Sequence, residues 1–537
     1  MIEYKNIFAA NKSIEKDYSI QTSLEHRKKF AQFFTPYPIA DLMAKWLLGN
    51  KSLKSVLDPA FGLGIFSRAL LTHKTNIDIK GFEIDEYIYS KAEPIFNFIP
   101  SLKIHLEDYM YNDWENKYDG IICNPPYFKF HDYDNKAILK EIESKLKVKL
   151  TGFSNLYTLF LLKSIYQLEF NGRAAYIIPS EFLNADYGKL VKSYLLNSNT
   201  LRHIIIFDFE ENIFDDALTT ACIILCSNDE QSNNIKFSTI CNLSELSQLD
   251  NYIDNYPDNF DSENCYKITQ LDPNKKWRRY YQEQKSLGFK NLVPFSTFAK
   301  VVRGIATGAN EYFTFSKAKA LEYGIDEKYL MPCICKAADT KGSFFTTDDF
   351  KKLKDNNKSI FLFNAVNTNS DSVKKYIKFG EQQGIDRKYL TACRKPWYSL
   401  EKRPPAPIWV SVFNRNGLRF IRNEAEISNL TTFHCIYPVK SGLFPSIKTD
   451  LLFAYLLTDT AKSIFEDNRR EYGNGLQKFE PNDLNKGEIL DLSLINKSSE
   501  KEILELYNEY RDSVLQSNPD NSFIDRINEI FIEEFSI

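Results

Sequence analysis

Asp58, Glu83 and Asp108 each follow a short apolar run, and their spacing limits what they could hold. Around the first, Val56–Phe66 reads VLDPAFGLGIF: an apolar run, an acid, then a G-x-G turn leading into helix-forming sequence. Gly62 and Gly64 let backbone approach a ligand closely, because glycine adds no Cβ and tolerates positive φ. A dinucleotide site asks for a third glycine three residues on, and position 67 is Ser. Asp58 would repel a pyrophosphate and attract a cation. Glu83 lies 19 residues beyond Gly64, where a carboxylate accepts both hydroxyls of a ribose. Asp108 is placed to accept from an adenine amine, with Ile84 and Tyr109 beside the ring. An ammonium, a ribose and an adenine without phosphates describe S-adenosylmethionine. A lone Gly turn is equally a plain loop; the carboxylates give the reading its weight.

Asn124-Pro125-Pro126-Tyr127 comes one strand later. Two consecutive prolines remove donors and fix φ, so the segment neither extends a sheet nor starts a regular helix. By itself it is a rigid turn. Next to a methyl donor it suits methylation of a planar exocyclic amine, whose nitrogen lone pair is delocalised and poorly nucleophilic. Acceptors aimed at both N–H hydrogens favour a tetrahedral nitrogen, and the Asn124 side-chain oxygen and Pro125 carbonyl are such acceptors. Positioning and fixed dipoles carry the attack without a matched general base. Tyr127 would offer an aromatic face to a base rotated out of its stack.

These residues need strands to end where they stand. The spacing predicts strands at Ser55–Asp58, Ile79–Glu83, Ile104–Leu106, Gly120–Cys123, Ala174–Ile178, His203–Phe209 and Cys222–Cys226. Helical periodicity covers Phe66–Leu71, Leu156–Gln167 and Gly188–Leu196. Such alternation implies an α/β, mostly parallel sheet, with ligands at the carboxyl ends of its strands. We place a catalytic domain at 1–250, a polar linker at 251–290, a turn-rich mixed domain at 291–490 and helices at 491–537. In the last of these, Ile503, Tyr507, Tyr510 and Val514, then Ile524, Ile527 and Phe531, are helix-spaced.

The 537 residues carry a net charge of only −3, which at face value argues against a polyanionic partner. The average hides a partition. Residues 271–450 hold 31 basic and 17 acidic groups, a net +14, between segments of −8 and −9. Aromatics interleave with the positive charge in KKWRRYY (275–281), RKPWYSLEKR (394–403) and FNRNGLRFIRN (413–423). Phosphate neutralisation supplies most non-specific DNA affinity. Arg415, Arg419 and Arg422 are candidate readers of bases, or equally phosphate clamps or ion pairs. The Gly473–Gly475 turn with Lys478 could meet phosphate or be a plain loop. No run approaches the ~18 apolar residues of a membrane span, and the N-terminus lacks a signal-peptide block. Nine cysteines without a C-x-x-C pair suggest a reducing cytoplasm and no structural zinc.

Taken in order, F-T-P (34–36), D-P-A-x-G-x-G-x-F (58–66), F-E-I-D (82–85), D-Y (108–109) and N-P-P-Y (124–127) resemble one family. It is the γ class of adenine-N6 DNA methyltransferases, modification enzymes of type II restriction systems typified by the TaqI methyltransferase. The resemblance implies a class I S-adenosylmethionine-dependent methyltransferase (Rossmann-like) domain followed by a mixed α+β DNA target-recognition domain. It implies S-adenosylmethionine as donor, adenine in double-stranded DNA as acceptor, and a separately encoded restriction endonuclease as partner. Phe34, Thr35 and Pro36 then match the motif closing over the methionine end of the cofactor. Asp58, Ala60, Gly62, Gly64 and Phe66 match the cofactor loop, Glu83 and Ile84 the ribose and adenine contacts, and Asp108 and Tyr109 the adenine pocket. Asn124 to Tyr127 match the catalytic segment, with Asn124 touching the cofactor as well. Asn155 and Tyr157 match the segment after it, and Phe214 a second aromatic against the flipped base. RGIATGANEYF (303–313), RKPWY (394–398), Ile408–Val412, LTTFH (430–434) and YGNGLQKFEP (472–481) are similar to longer members such as the PstI, BsuBI and AccI modification enzymes. The likeness spans about residues 26–485.

Other readings keep the same residues. N-P-P-Y also serves methylation of a protein glutamine or of adenine in ribosomal RNA. The basic block after the catalytic domain favours a long polyanion over a protein. An inactive DNA-binding or assembly subunit would have no need of Asp58, Glu83, Asp108 and Asn124 together. About 30 residues precede F-T-P, too few for a fused nuclease. Cys123 reads as a buried thiol at a strand end, not a nucleophile. Cys222, Cys226, Cys333 and Cys335 lack histidines at zinc spacing, and His131 and His434 lack a catalytic constellation.

Overall fold

The computed structural model describes residues 14–127, 136–149, 155–185, 187–208, 220–258, 264–282, 285–365, 370–414, 417–439, 447–467, 470–472 and 476–537. The chain forms two compact units, Met1–Glu283 with Arg470–Gly475, and Gln284–Arg469 with Leu476–Ile537. No helix among the described residues is long and apolar enough to cross a membrane.

The first unit is built on a nine-stranded sheet. Its strands are β1 (Ser55–Asp58), β2 (Asp78–Glu83), β3 (Leu102–Leu106), β4 (Tyr118–Cys123), β5 (Leu168–Pro179), β6 (Leu201–Phe207), β7 (Ala221–Ser227), β8 (Asn234–Ile240) and β9 (Cys265–Lys267). They lie in the order β3-β2-β1-β4-β5-β7-β6-β8-β9. β1 to β5 are parallel, and β7 runs antiparallel between β5 and β6. Both faces of the central strands are covered, so β6 and β7 are buried at every residue. The pleat divides β4 between two cores: Ile122 packs on one face with Val56 and Ile79, and Ile121 and Cys123 on the other with Leu57 and Tyr176. The order reverses between β1 and β4, and a crevice at the carboxyl ends is the usual consequence.

The polar stretch 251–290 is not a linker. Up to residue 282 it completes the first unit: Tyr252, Ile253 and Tyr256 join one core, Trp277 and Tyr280 the other, and β9 extends the sheet on β8. The segment is polar because its short elements bury only about one side chain in four. KKWRRYY therefore holds buried core residues, with Trp277 fully enclosed.

The second unit is mixed α+β. A five-stranded sheet orders Ala299–Arg303, Phe433–Pro438, Ile408–Ser411, Phe420–Asn423 and Phe344–Phe345. One face (Val301, Ile408, Val410, Ile436) packs on helices Thr449–Leu457, Asp459–Glu466, Lys497–Leu515 and Ser522–Phe535. The C-terminal helices are thus part of this unit, through Ile503, Tyr507, Ile527 and Phe531, and not a separate segment. A smaller four-stranded sheet packs its own aromatic core of Phe313, Phe315, Phe361, Phe363 and Tyr376.

Candidate active site

The carboxyl ends of β1, β2, β3 and β4 surround a cavity of about 550 Å3. After β1 the chain turns through Gly62 (φ +55°) and Gly64 (φ +71°) into helix Ile65–His73. Both are left-handed, which explains glycine at each. A Cβ on Gly64 would lie 2.5 Å from the Phe96 ring, whereas one on Gly62 would meet nothing within 4 Å. Gly64 is needed for packing, and Gly62 leaves the cavity open. Ala60 and Phe66 line the same wall.

Glu83 is held by three backbone amides: Gly62 N donates to Oε2 at 2.9 Å, and Ile84 and Asp85 N donate to Oε1 at 2.8 and 2.9 Å. Burial pushes its carboxyl up while these amides pull it down; the net direction is upward. Ile84 is 56% exposed and lines the cavity. Asp58 is fully buried; Oδ1 accepts from Ala60 N at 3.4 Å and Oδ2 has no partner. Burial pushes its carboxyl up to about 8, the nearby Glu83 adding to the effect. Asp108 accepts from Met110 N at 2.8 Å and lines the cavity.

Tyr109 departs from the expectation. It reaches the cavity wall, but its ring sinks between Phe82 and Phe160 and its hydroxyl bonds Ser164 and Gln167, so it is 1% exposed. Phe160 and Leu156, from helix Leu156–Tyr166, line the wall beside it. Beneath lies Lys163, wholly buried, which donates to the Tyr109 and Asn112 carbonyls and stands 3.9 Å from the Tyr109 ring centroid. Burial pushes its ammonium down to about 7. Nothing in the sequence marked this lysine, because it sits inside an apolar helix without a motif.

Asn124 follows β4 directly. Its Nδ2 donates to Phe33 O at 2.7 Å and Thr35 Oγ1 at 3.0 Å. Phe33 O can only accept, so the amide must present its NH2 there and keep its oxygen for an outside donor. Thr35 is buried, and Pro36 caps helix Tyr37–Leu48, which fixes the segment against the sheet. The residues before it are tied to the Glu83 loop: Asp85 Oδ2 takes Gln32 Nε2 at 2.6 Å and His26 Nε2 at 2.8 Å. Phe33, Gln32 and His26 escaped the sequence reading, since their roles depend on a fold-over that only tertiary structure shows. Tyr127 donates to Ile177 O at 3.2 Å, stacks on Phe33 at 6.0 Å and meets Tyr157 edge-on at 6.1 Å. Tyr157 is buried and pairs its hydroxyl with Tyr187 at 2.8 Å; Asn155 caps the helix that carries it. Cys123 is fully buried, and burial pushes its thiol well up.

Of the alternatives open to Arg419 and Arg422, the structure shows internal pairing. Arg419 donates to Thr340 O (2.8 Å), Thr340 Oγ1 (2.7 Å) and Ala337 O (3.3 Å). Arg422 binds Pro407 O at 2.9 Å and Asp450 at 3.2 Å. Both guanidiniums stitch loops of their own unit, because a fork of five donors satisfies backbone carbonyls that strand ends leave open. Arg415 and Phe214 lie outside the described residues, as do His131 and Gly473–Gly475.

Comparison with known proteins places the chain in a family. Residues 43–214 match the family described as Eco57I restriction-modification methylase, and residues 274–521 match the C-terminal domain of type II methyltransferase M.Eco57I. Type II methyltransferase M.AccI of Acinetobacter calcoaceticus is 64% identical over 98% of this chain and 97% of its own length. M.XamI of Xanthomonas campestris pv. amaranthicola is 23% identical over 86% and 85%. Among solved structures, a cryo-EM DrdV–DNA complex matches with TM-score 0.52 at 10% identity, over 93% of this chain and 59% of that one. A nuclease-deletion mutant of the Type ISP restriction-modification enzyme LlaGI, with a DNA substrate mimic, also gives 0.52, at 13% identity over 89% and 54%. The chain spans little more than half of those two, and the likeness is one of fold. Identity over nearly the full length of M.AccI decides the family: this chain belongs to the type II methyltransferases of restriction–modification systems.

Proposed function

We propose that the chain transfers a methyl group from S-adenosylmethionine to the N6 amine of an adenine in double-stranded DNA, as the modifying half of a restriction–modification pair. The observation that carries this is the fixed amide of Asn124, whose oxygen is kept for an incoming N–H by Phe33 and Thr35. The cavity suits the donor. Glu83 lines the cavity and fits a ribose, and the unpartnered Oδ2 of Asp58, buried behind the lining residues Pro59 and Ala60, would attract an ammonium. Asp108 fits an adenine amine, and exposed Ile84 supplies an apolar face. When bound, the cofactor supplies a methyl group on a positively charged sulfur.

The residues of this chain do the remaining work. Asn124 Oδ1 and the Pro125 carbonyl accept the two N–H groups of the target amine and pull its lone pair out of conjugation. The nitrogen then takes the methyl group and releases one proton to solvent, so no side chain must titrate. Pro125 and Pro126 hold the acceptors rigid, so no reorganisation is needed at the moment of transfer. Tyr127, fixed by Ile177, Phe33 and Tyr157, gives the base a firm aromatic surface. An extrahelical base is required because a stacked adenine cannot reach a recessed site. Cytosine N4 carries the same amine chemistry; the likeness to the adenine-N6 class favours adenine.

The test uses labelled S-adenosylmethionine with purified protein and plasmid DNA. Asn124→Ala is expected to lower transfer by roughly 100-fold or more while leaving cofactor affinity within a few fold. Lost cofactor binding with intact folding contradicts the acceptor role.

A further inference from the structure

The second unit contains a cleft of about 770 Å3 that the methyl-transfer reading leaves without a role. Its walls converge from three parts of the chain. Strand Ala299–Arg303 ends in Arg303, and His434 pairs directly across from it on strand Phe433–Pro438. A short ribbon pairs Phe413 with Lys478. Arg303 Nη2 donates to Glu480 Oε2 at 2.6 Å, and Lys478 Nζ pairs with Glu480 Oε1 at 2.7 Å. One carboxylate thus orients two cations, while the Arg303 side chain remains 64% exposed and Phe413 56% exposed. Burial works against the Glu480 carboxylate, but Lys478 and Arg303 outweigh it and hold it down at about 2.

His434 backs the cleft. It is 3% exposed, lines the cleft and bonds Phe479 O through Nε2 at 2.7 Å. That bond needs the proton on Nε2, so Nδ1 is a lone-pair acceptor, and it is buried with no protein partner. The cleft therefore presents two oriented cationic donors and the carboxylate between them, beside the exposed Phe413 ring. A base edge, which carries donors and acceptors side by side, matches this pattern.

We propose that this cleft reads one guanine–cytosine pair of the DNA sequence the enzyme selects, with Arg303 and Lys478 donating to guanine and Glu480 holding both in register. Arginine or lysine to guanine O6 and N7 is the commonest specific contact in the major groove. Glu480 is a positioning residue here, and it also offers an acceptor to the cytosine amine. Phe413 supplies apolar contact beside the pair. The inference rests on the DNA reading above and adds which residues choose the sequence.

The experiment uses full-length protein and Arg303→Met, Lys478→Met and Glu480→Gln. Methylation mapping first defines the sequence selected by the wild type. Initial rates are then compared on duplexes in which each base pair is replaced in turn. Arg303→Met and Glu480→Gln are expected to lose discrimination at the same single G·C pair, by roughly 5- to 150-fold, with other positions and cofactor affinity unchanged. Equal loss on every duplex overturns the inference in favour of a phosphate contact, and unchanged selectivity overturns it outright. Glu480 also caps helix Pro481–Asn485, so if Glu480→Gln unfolds, the two cation variants decide the question by the same criterion. A wild type that methylates no DNA overturns the proposed function itself, and this inference with it.

Discussion

Asp58 shows how a buried acid, proposed above to attract the cofactor's ammonium, can oppose the stability of its own fold. Its buried carboxyl is pushed up to about 8 from an ordinary 3.8. Between those values the native state retains a proton that the unfolded chain has released. Ligand-free stability therefore falls as pH rises from about 4 to about 8. Asp58→Asn removes that dependence. The variant is expected to melt a few degrees above the wild type at pH 8, with a smaller gap at pH 5, and to bind S-adenosylmethionine about 10-fold more weakly. Thermal melts at the two pH values and a cofactor titration check both halves. A variant less stable than wild type at pH 8 contradicts the electrostatic account. Asn124 is different in kind: its amide already has partners on one side, so its loss should be read in rate rather than in melting temperature.

At the scale of elements, the turn after β1 separates packing from binding within three residues. Gly64→Ala must hold a left-handed backbone and displace the Phe96 ring, a cost of about 3 kcal/mol. Gly62→Ala meets open space and costs about 1 kcal/mol of strain, yet its methyl group intrudes on the cavity. We expect Gly64→Ala to lose stability first and Gly62→Ala to lose cofactor affinity first, measured by denaturant unfolding and by titration. The same turn was legible in the sequence because D-P-A-x-G-x-G sits between an apolar run and a helical one. β1, β2 and β4 could be read because each carries a short apolar stretch that stops at or just before a polar residue, Asp58, Glu83 and Asn124. β8 and β9 could not, since Asn234–Ile240 alternates buried with half-buried residues and Cys265–Lys267 is three residues long. Phe33, Gln32 and His26 were illegible because backbone carbonyls and fold-over contacts leave no mark on residue type. Lys163 was hidden by its own helix, and Arg419 and Arg422 looked like DNA contacts because charge alone does not reveal an internal carbonyl partner.

At the scale of the whole molecule, the boundary near residue 283 matters more than the polar composition that precedes it. Trp277 and Tyr252 are core residues of the first unit, so a fragment ending at 250 removes part of two cores. A fragment ending at 283 is expected to be soluble and to bind S-adenosylmethionine within a few fold of the full chain, without selecting a DNA sequence. One ending at 250 is expected to aggregate; gel filtration and cofactor titration distinguish them. The net charge of −3 conceals a block of +14 over residues 271–450, and neutralised phosphates make DNA affinity fall steeply with salt.

The atom that receives the methyl group can be identified in a single experiment. The chain and its Asn124→Ala variant are expressed in a host free of other modification enzymes, and methylated bases are mapped across the DNA. With the wild type, N6-methyladenine is expected at every copy of a single short sequence, and with the variant none. Methyl groups on cytosine, on RNA or on protein, or none at all on DNA from the wild type, contradict the proposed function.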